Sequence, residues 1–313
     1  MNRAEAICTL DDDVLAGLRA PIKRLPCRLL YDARGAELFE RITAVDDYYL
    51  TRSELALLDE HLPAIAKLVG PAARVIEPGS GAGRKTRMLL AALDGPATYM
   101  PIDVAAEQLA ETAAALRDTF PDLEVLPVVG DYTAPLALPP ATRATRRTLV
   151  FFPGSTIGNF EPDEARRFLV RLRNDAGEGA MLLLGADGNT RRDELLRAYD
   201  DSEGVTAAFD LNVLAHVNAT YRANFDRDQF MHRAVWNASR SRIEMHLVSR
   251  RKQTVTVAGE RFELDRGEHI VTEHCYKHPP EVLEAILRDS GWHTTQQFVD
   301  AACRMRLWLA VRP

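Results

Sequence analysis

The run Glu77-Pro78-Gly79-Ser80-Gly81-Ala82-Gly83 ends a short β-branched stretch that begins near Arg74, and a helix-forming stretch, Lys85–Leu93, follows it. Glycines in such a turn let the backbone approach a ligand closely, because no Cβ intervenes. The next two strand ends carry carboxylates. Asp103 closes Ala97–Ile102, and Asp131, beside the aromatic Tyr132, closes Glu124–Val129. The first can accept two hydrogen bonds from ribose hydroxyls, and the second can accept an adenine amino proton. Taken singly, each acid could equally cap a helix, and the glycines could form a plain tight turn. Three such positions at successive strand ends argue together for an adenosyl-binding crevice. A triphosphate-binding loop fails, because Arg84-Lys85-Thr86 follows a glycine turn that is too short. A nicotinamide dehydrogenase also ends its second strand on an acid, so the far end of the chain has to discriminate.

The elements that must position these groups alternate. Ala105–Arg117 is an Ala-rich helix former, Thr148–Phe152 a fourth strand, Asp163–Arg173 a helix opened by Glu161-Pro162, and Ala180–Leu184 a fifth strand. Short continuous apolar runs spaced by helices predict a parallel sheet buried on both faces. Near the C-terminus, His278–Ser290 reads as a helix stopped by Gly291, and Thr294–Val299 and Arg304–Val311 read as a closing hairpin. That hairpin completes a seven-stranded, mostly parallel sheet and favours a methyltransferase over a dehydrogenase. The expected fold class is α/β, a Rossmann-like class I methyltransferase domain over residues 54–190 and 278–313. Residues 1–53 and 191–277 have no place in that sheet, and an insertion of this length should fold. They are expected to form an α+β substrate-binding domain. Within it Glu194–Tyr199 is helical, and Arg242–Val257 and Arg261–Tyr276 are strands joined near Ala258-Gly259.

Composition narrows the function classes. The chain has 313 residues, 46% apolar and 27% charged, enough to bury a core without staples. A net charge of −6, from 39 basic and 45 acidic residues, argues against a nucleic-acid surface; Arg143, Arg146 and Arg147 read as a solvated loop. The N-terminus carries Asp11, Asp12 and Asp13 and lacks the apolar core of a signal peptide, and no run of about 18 apolar residues could span a bilayer. Cys8, Cys27, Cys275 and Cys303 form no paired motif. The expectation is a cytoplasmic protein, free of membrane and nucleic-acid partners and monomeric. His269, His274, Cys275 and His278 match no zinc spacing; they read as exposed strand histidines, and no metal is expected.

Assembled in order, the chain resembles the histidine N-α-methyltransferase family of ergothioneine biosynthesis. The matching stretches include Leu30-Tyr31-Asp32, Gly35–Phe39, Asp47-Tyr48-Tyr49, Gly79–Lys85, Gly154-Ser155-Thr156-Ile157-Gly158-Asn159, Arg197–Asp200, Arg242–Met245 and Thr272–Lys277. They run from about Lys23 to Arg312. The resemblance implies S-adenosylmethionine as methyl donor, S-adenosylhomocysteine as product, a free amino acid as substrate, and three methylations giving the trimethylated betaine hercynine. It also implies roles. Gly79, Lys85, Asp103, Asp131 and Tyr132 would contact the donor. Tyr48, Gly154, Asn159 and Tyr199 would hold the substrate's backbone groups, with Tyr31 a hydroxyl facing the amine, while Met245, Glu273 and Cys275 would read the side chain.

The chemistry is compatible with these residue types. Methyl transfer needs alignment of an uncharged amine with an already activated carbon, and no covalent nucleophile. Asn159 can accept from the amine through its carbonyl oxygen, and the tyrosines are neutral donors suited to a carboxylate. Glu273 and Cys275, two apart in a strand, share a face, where Glu273 could accept an imidazole N–H. Family members that act on histidine usually have serine where Cys275 stands, and a thiol is the weaker donor. Two other readings stay open: the same chemistry on another, for example aromatic, amino acid or a histidine derivative, and a non-catalytic donor-binding module.

Overall fold

The computed structural model describes residues 13–81 and 83–313. In chain order its strands are β1 (Lys23–Arg24), β2 (Ala73–Pro78), β3 (Thr98–Asp103), β4 (Glu124–Val125), β5 (Val128–Val129), β6 (Arg147–Phe152) and β7 (Met181–Asp187). Then follow β8 (Phe230–Asn237), β9 (Arg242–Ser249), β10 (Gln253–Val257), β11 (Glu260–Leu264), β12 (His269–Tyr276), β13 (His293–Val299) and β14 (Met305–Val311). The chain forms two compact units, one of residues 1–49 and 190–276, the other of residues 50–189 and 277–313.

The second unit is α/β. Its sheet runs β13-β14-β7-β6-β2-β3-β4, with β5 also paired to β3. β2, β3, β6 and β7 are mutually parallel, and β14 runs antiparallel to both of its neighbours, β13 and β7. The central strands β2, β3, β6 and β7 are buried on both faces, as their continuous apolar runs require. Leu89, Leu90, Tyr99, Leu116 and Phe151 meet in one cluster, and Phe168, Leu182, Trp292 and Trp308 meet in another. The third expected strand, Glu124–Val129, is two short pieces instead. Pro127, which has no N–H to give the ladder, sits at the break. Strand order reverses at β2, which pairs with β3 on one side and β6 on the other. Loops leaving the carboxyl ends of β2 and β6 therefore flank the switch point where open α/β sheets bind ligands.

The first unit carries the sheet β1-β12-β9-β8 and a separate hairpin of β10 and β11. The two long strands expected from the sequence are each interrupted. β9 stops at Ser249 and β12 starts at His269, while β10 and β11 turn at Ala258 and Gly259, both at positive φ. Breaking each strand lets one half join the larger sheet and the other half close on itself. Helix Val205–Tyr221, unassigned in the sequence reading, packs against β8 and against helix Ala33–Ala44. Its β-branched residues and many buried positions obscure the amphipathic period that identifies a surface helix.

Candidate active site

At the end of β2 the backbone enters the left-handed region three times, at Gly79 (φ 71°), Gly81 (φ 50°) and Gly83 (φ 70°). Gly83 is also the N-cap of helix Arg84–Ala92. A Cβ at Gly79 would stand 3.2 Å from the Tyr132 ring, so the turn and the aromatic after β5 form a cradle that a side chain would fill. Asp103 joins this cradle: its Oδ2 accepts from Gly81 N–H at 3.3 Å and its Oδ1 from Ala105 N–H at 3.1 Å. Asp131 closes a local turn, its Oδ1 accepting from the N–H and the hydroxyl of Thr133 at 2.8 and 2.6 Å.

Beneath the turn lies Glu77, buried to 1% exposure. Its Oε2 accepts from the hydroxyls of Tyr99 (2.6 Å) and Thr86 (2.8 Å). Burial raises its pKa from 4.5 to about 7, against the opposing pull of those hydrogen bonds. Between those values the folded chain holds a proton that the unfolded chain releases, so this group's stability contribution is present at acid pH and lost as pH rises through about 7. The difference is roughly 3 kcal/mol. Glu77→Gln is expected to raise the urea midpoint above wild type at about pH 8 and to leave it unchanged at about pH 5. Equal midpoints at the higher pH would refute an ionised, buried Glu77.

Across the switch point, Gly154 (φ 85°) and Ser155 (φ 58°) leave β6 and lead into the short helix Thr156–Asn159. The buried Glu54 carboxylate accepts from Gly154 N–H at 2.9 Å and pairs with Lys85 Nζ at 2.5 Å, tying the loop after β6 to the helix after β2. A Cβ at Gly185 would overlap Glu54 Oε1, which explains the glycine in β7. Ser155 Oγ accepts from the backbone N–H of Asp187, the last residue of β7. Asp187 in turn forms an ion pair with Lys277 at 3.0 Å, both side chains fully buried.

In the first unit, the predicted substrate residues form a chain of contacts. Tyr31 meets Phe39 edge-on at 5.6 Å between ring centroids, Phe39 meets Tyr48 at 6.4 Å, and Tyr48 meets Tyr199 at 6.1 Å. The Tyr199 hydroxyl lies 2.8 Å from Cys275 Sγ. Glu273 pairs with Met245 across β12 and β9, so the two share a face, and both are buried. Gly154 and Asn159 belong to the second unit, with the donor-site candidates.

The family of histidine-specific, SAM-dependent methyltransferases matches residues 10–312. The chain belongs to that family. A histidine N-α-methyltransferase of Mycolicibacterium smegmatis is 42% identical over 96% of this chain and 94% of that protein. One from Mycobacterium tuberculosis is 39% identical over the same shares. A 4-dimethylallyltryptophan N-methyltransferase of Aspergillus fumigatus is 28% identical over 90% of this chain and 88% of that protein. The chain is thus an S-adenosylmethionine-dependent amino-acid methyltransferase, and the space kept at Gly79 suits an adenosyl donor.

Several residues of this methyltransferase escaped the sequence reading. Glu54 was legible in principle: it falls with Leu50, Leu57, Leu58 and Leu62 on the buried face of helix Tyr49–Val69, where a lone acid needs a reason. Glu77 precedes the glycine turn, yet its burial follows only from the sheet. His278 corrects the reading of exposed strand histidines. It lies between β12 and helix Pro280–Asp289 and is buried, which lowers its pKa to about 4. His269 and His274 are half-buried in β12. Among the described residues no cluster could hold a metal ion, and no helix is long and apolar enough to cross a membrane. Asp201 accepts from Val205 and Thr206 N–H at the start of helix Val205–Tyr221. Cys8, Asp11 and Asp12 lie outside the described residues.

Cys275 carries a prediction of its own. A serine there keeps the hydrogen bond to Tyr199 and gives a stronger donor and acceptor. Cys275→Ser is expected to tighten histidine binding by about threefold to tenfold, read by calorimetry with S-adenosylhomocysteine present. Weaker binding would show that the thiol does not face the imidazole.

Proposed function

We propose that this enzyme methylates the α-amino group of free L-histidine in the cytoplasm, three times in succession, to the betaine hercynine of ergothioneine biosynthesis. Residues of 50–189 and 277–313 bind the donor and, through Gly154 and Asn159, the substrate amine, and those of 1–49 and 190–276 hold the carboxylate and side chain of the amino acid. The observation that carries this reading is the buried carboxylate Glu273 beside Met245 and Cys275, since a carboxylate there selects an N–H-bearing side chain over an apolar one.

Gly79, Asp103, Asp131, Tyr132 and Lys85 would hold the donor, which supplies a methyl group already activated by its sulfonium charge. Asp103 is set for ribose hydroxyls, because its carboxylate is fixed to the glycine turn by Gly81. Lys85, paired to Glu54, brings little net charge to a site that must take a cation. Asn159 accepts from the amine and holds its lone pair in line. Tyr48 and Tyr199 donate to the substrate carboxylate, and their neutrality avoids a further positive charge. Tyr31 faces the amine and helps its proton leave. Because the amine reacts only when uncharged, the rate should climb with pH until it is deprotonated.

The test is mass spectrometry of products after incubation with the donor and a mixed amino-acid pool. Hercynine as the sole new product supports the proposal. Methylation of an aromatic amino acid instead would transfer the mechanism to another substrate, a reading that the 4-dimethylallyltryptophan N-methyltransferase keeps alive.

A further inference from the structure

The first unit contains a buried polar network that none of the roles above uses. His232 on β8 stands 2.7 Å through Nδ1 from Asp210 Oδ2 and 2.8 Å through Nε2 from the backbone carbonyl oxygen of Tyr199. Both groups facing the ring accept hydrogen bonds, so the ring fits as an imidazolium donating from both nitrogens. Burial alone would lower the His232 pKa, but the hydrogen bond and charge of Asp210 outweigh it and raise the value. The Thr272 hydroxyl donates at 2.5 Å to Asp210 Oδ1 and lies 3.1 Å from the carbonyl oxygen of Met245. Thr272 sits where the register between β12 and β9 shifts, immediately before Glu273.

These bonds reach backbone at or beside three side chains assigned above to the amino acid: Tyr199, Met245 and Glu273. Helix Arg192–Tyr199 ends at the first, β9 carries the second and β12 the third. Packing alone would let the helix end and the two strands shift by fractions of an ångström. A charged, fully buried network fixes them to one point on helix Val205–Tyr221. We infer that Asp210, His232 and Thr272 are positioning residues that set the geometry of the amino-acid pocket, linking the carboxylate clamp at Tyr199 to the side-chain reader at Met245 and Glu273. This inference rests on the proposed substrate roles of those three residues.

The test compares Thr272→Val, which keeps shape and removes the hydroxyl, with Thr272→Ser, which restores it. Calorimetry reads L-histidine affinity in the presence of S-adenosylhomocysteine and, separately, S-adenosylhomocysteine affinity; thermal unfolding runs alongside. Thr272→Val should weaken histidine binding about tenfold with cofactor-product affinity unchanged, and Thr272→Ser should recover most of it. Should Thr272→Val fail to fold, Asp210→Asn is measured in its place with the same expectation. A lowered melting temperature with both affinities intact, or equal loss of both, would reduce the network to a structural one and overturn the inference. If wild-type protein binds a different amino acid and not histidine, the substrate reading fails, and the same comparison on that amino acid still decides the network. Absence of any amino-acid binding in the wild type overturns both.

Discussion

Asn159→Ala is expected to lower kcat by about a thousandfold and to leave donor affinity within about twofold of wild type. The reason is the division of labour at the switch point. The glycine turn after β2, with Asp103 and Tyr132, makes the proposed donor cradle, whereas Asn159 closes the short helix Thr156–Asn159 after β6. That helix is held from behind by Ser155, whose Oγ accepts from Asp187 N–H, and by Gly154, whose N–H donates to Glu54. Truncating Asn159 removes one amide and leaves those supports in place. What is lost is the acceptor proposed to hold the amine in line, an alignment term that can be worth several kcal/mol. Single-turnover kinetics and calorimetry with S-adenosylhomocysteine separate the two effects. Equal loss of turnover and donor affinity would move Asn159 into the donor site.

The largest expected loss of stability comes from Lys277→Met. Lys277 and Asp187 form an ion pair at 3.0 Å with neither side chain exposed. Removing the cation strands a carboxylate in low dielectric, a change that typically costs about 3–5 kcal/mol. Asp187 Oδ1 also accepts from Asn189 N–H at 2.9 Å, so the carboxylate cannot turn away to water without giving up a second bond. Lys277→Met combined with Asp187→Asn should regain more than half of the loss, because asparagine keeps that acceptor and drops the charge. Urea unfolding at neutral pH measures both variants, and a loss below ~1 kcal/mol for the single change would contradict a buried, charged pair. The position matters for the fold. Asp187 ends β7 just before the chain leaves for residues 190–276, and Lys277 is the first residue back.

Each site was legible in the sequence to a different degree. The glycine turn after β2 and the strand ends near Asp103 and Asp131 could be found because strand ends are marked locally by where apolar runs stop. The α/β class followed from the same alternation, and the terminal hairpin distinguished a methyltransferase from a dehydrogenase. Cys275 and Glu273 were correctly placed on one strand because a two-residue period needs no knowledge of the partner strand. Glu54 was missed although its spacing on a buried helix face was visible, since only its partners Lys85 and Gly154, far off in sequence, reveal why an acid is tolerated there.

The sequence by itself determined the alternation of strands and helices in the larger sheet, the glycine turn after β2 and the family, because those are written in local periodicity and short motifs. Tertiary structure alone decided the ionic interior: Lys277 with Asp187, Glu77 with Tyr99, and Asp210 with His232 and Thr272. It also decided that two apparent long strands break into four. The physical reason is common to all of these. A buried charge or a broken strand is stabilised by a partner distant in the chain, and burial sets its energy, so nothing in its neighbours along the sequence records it.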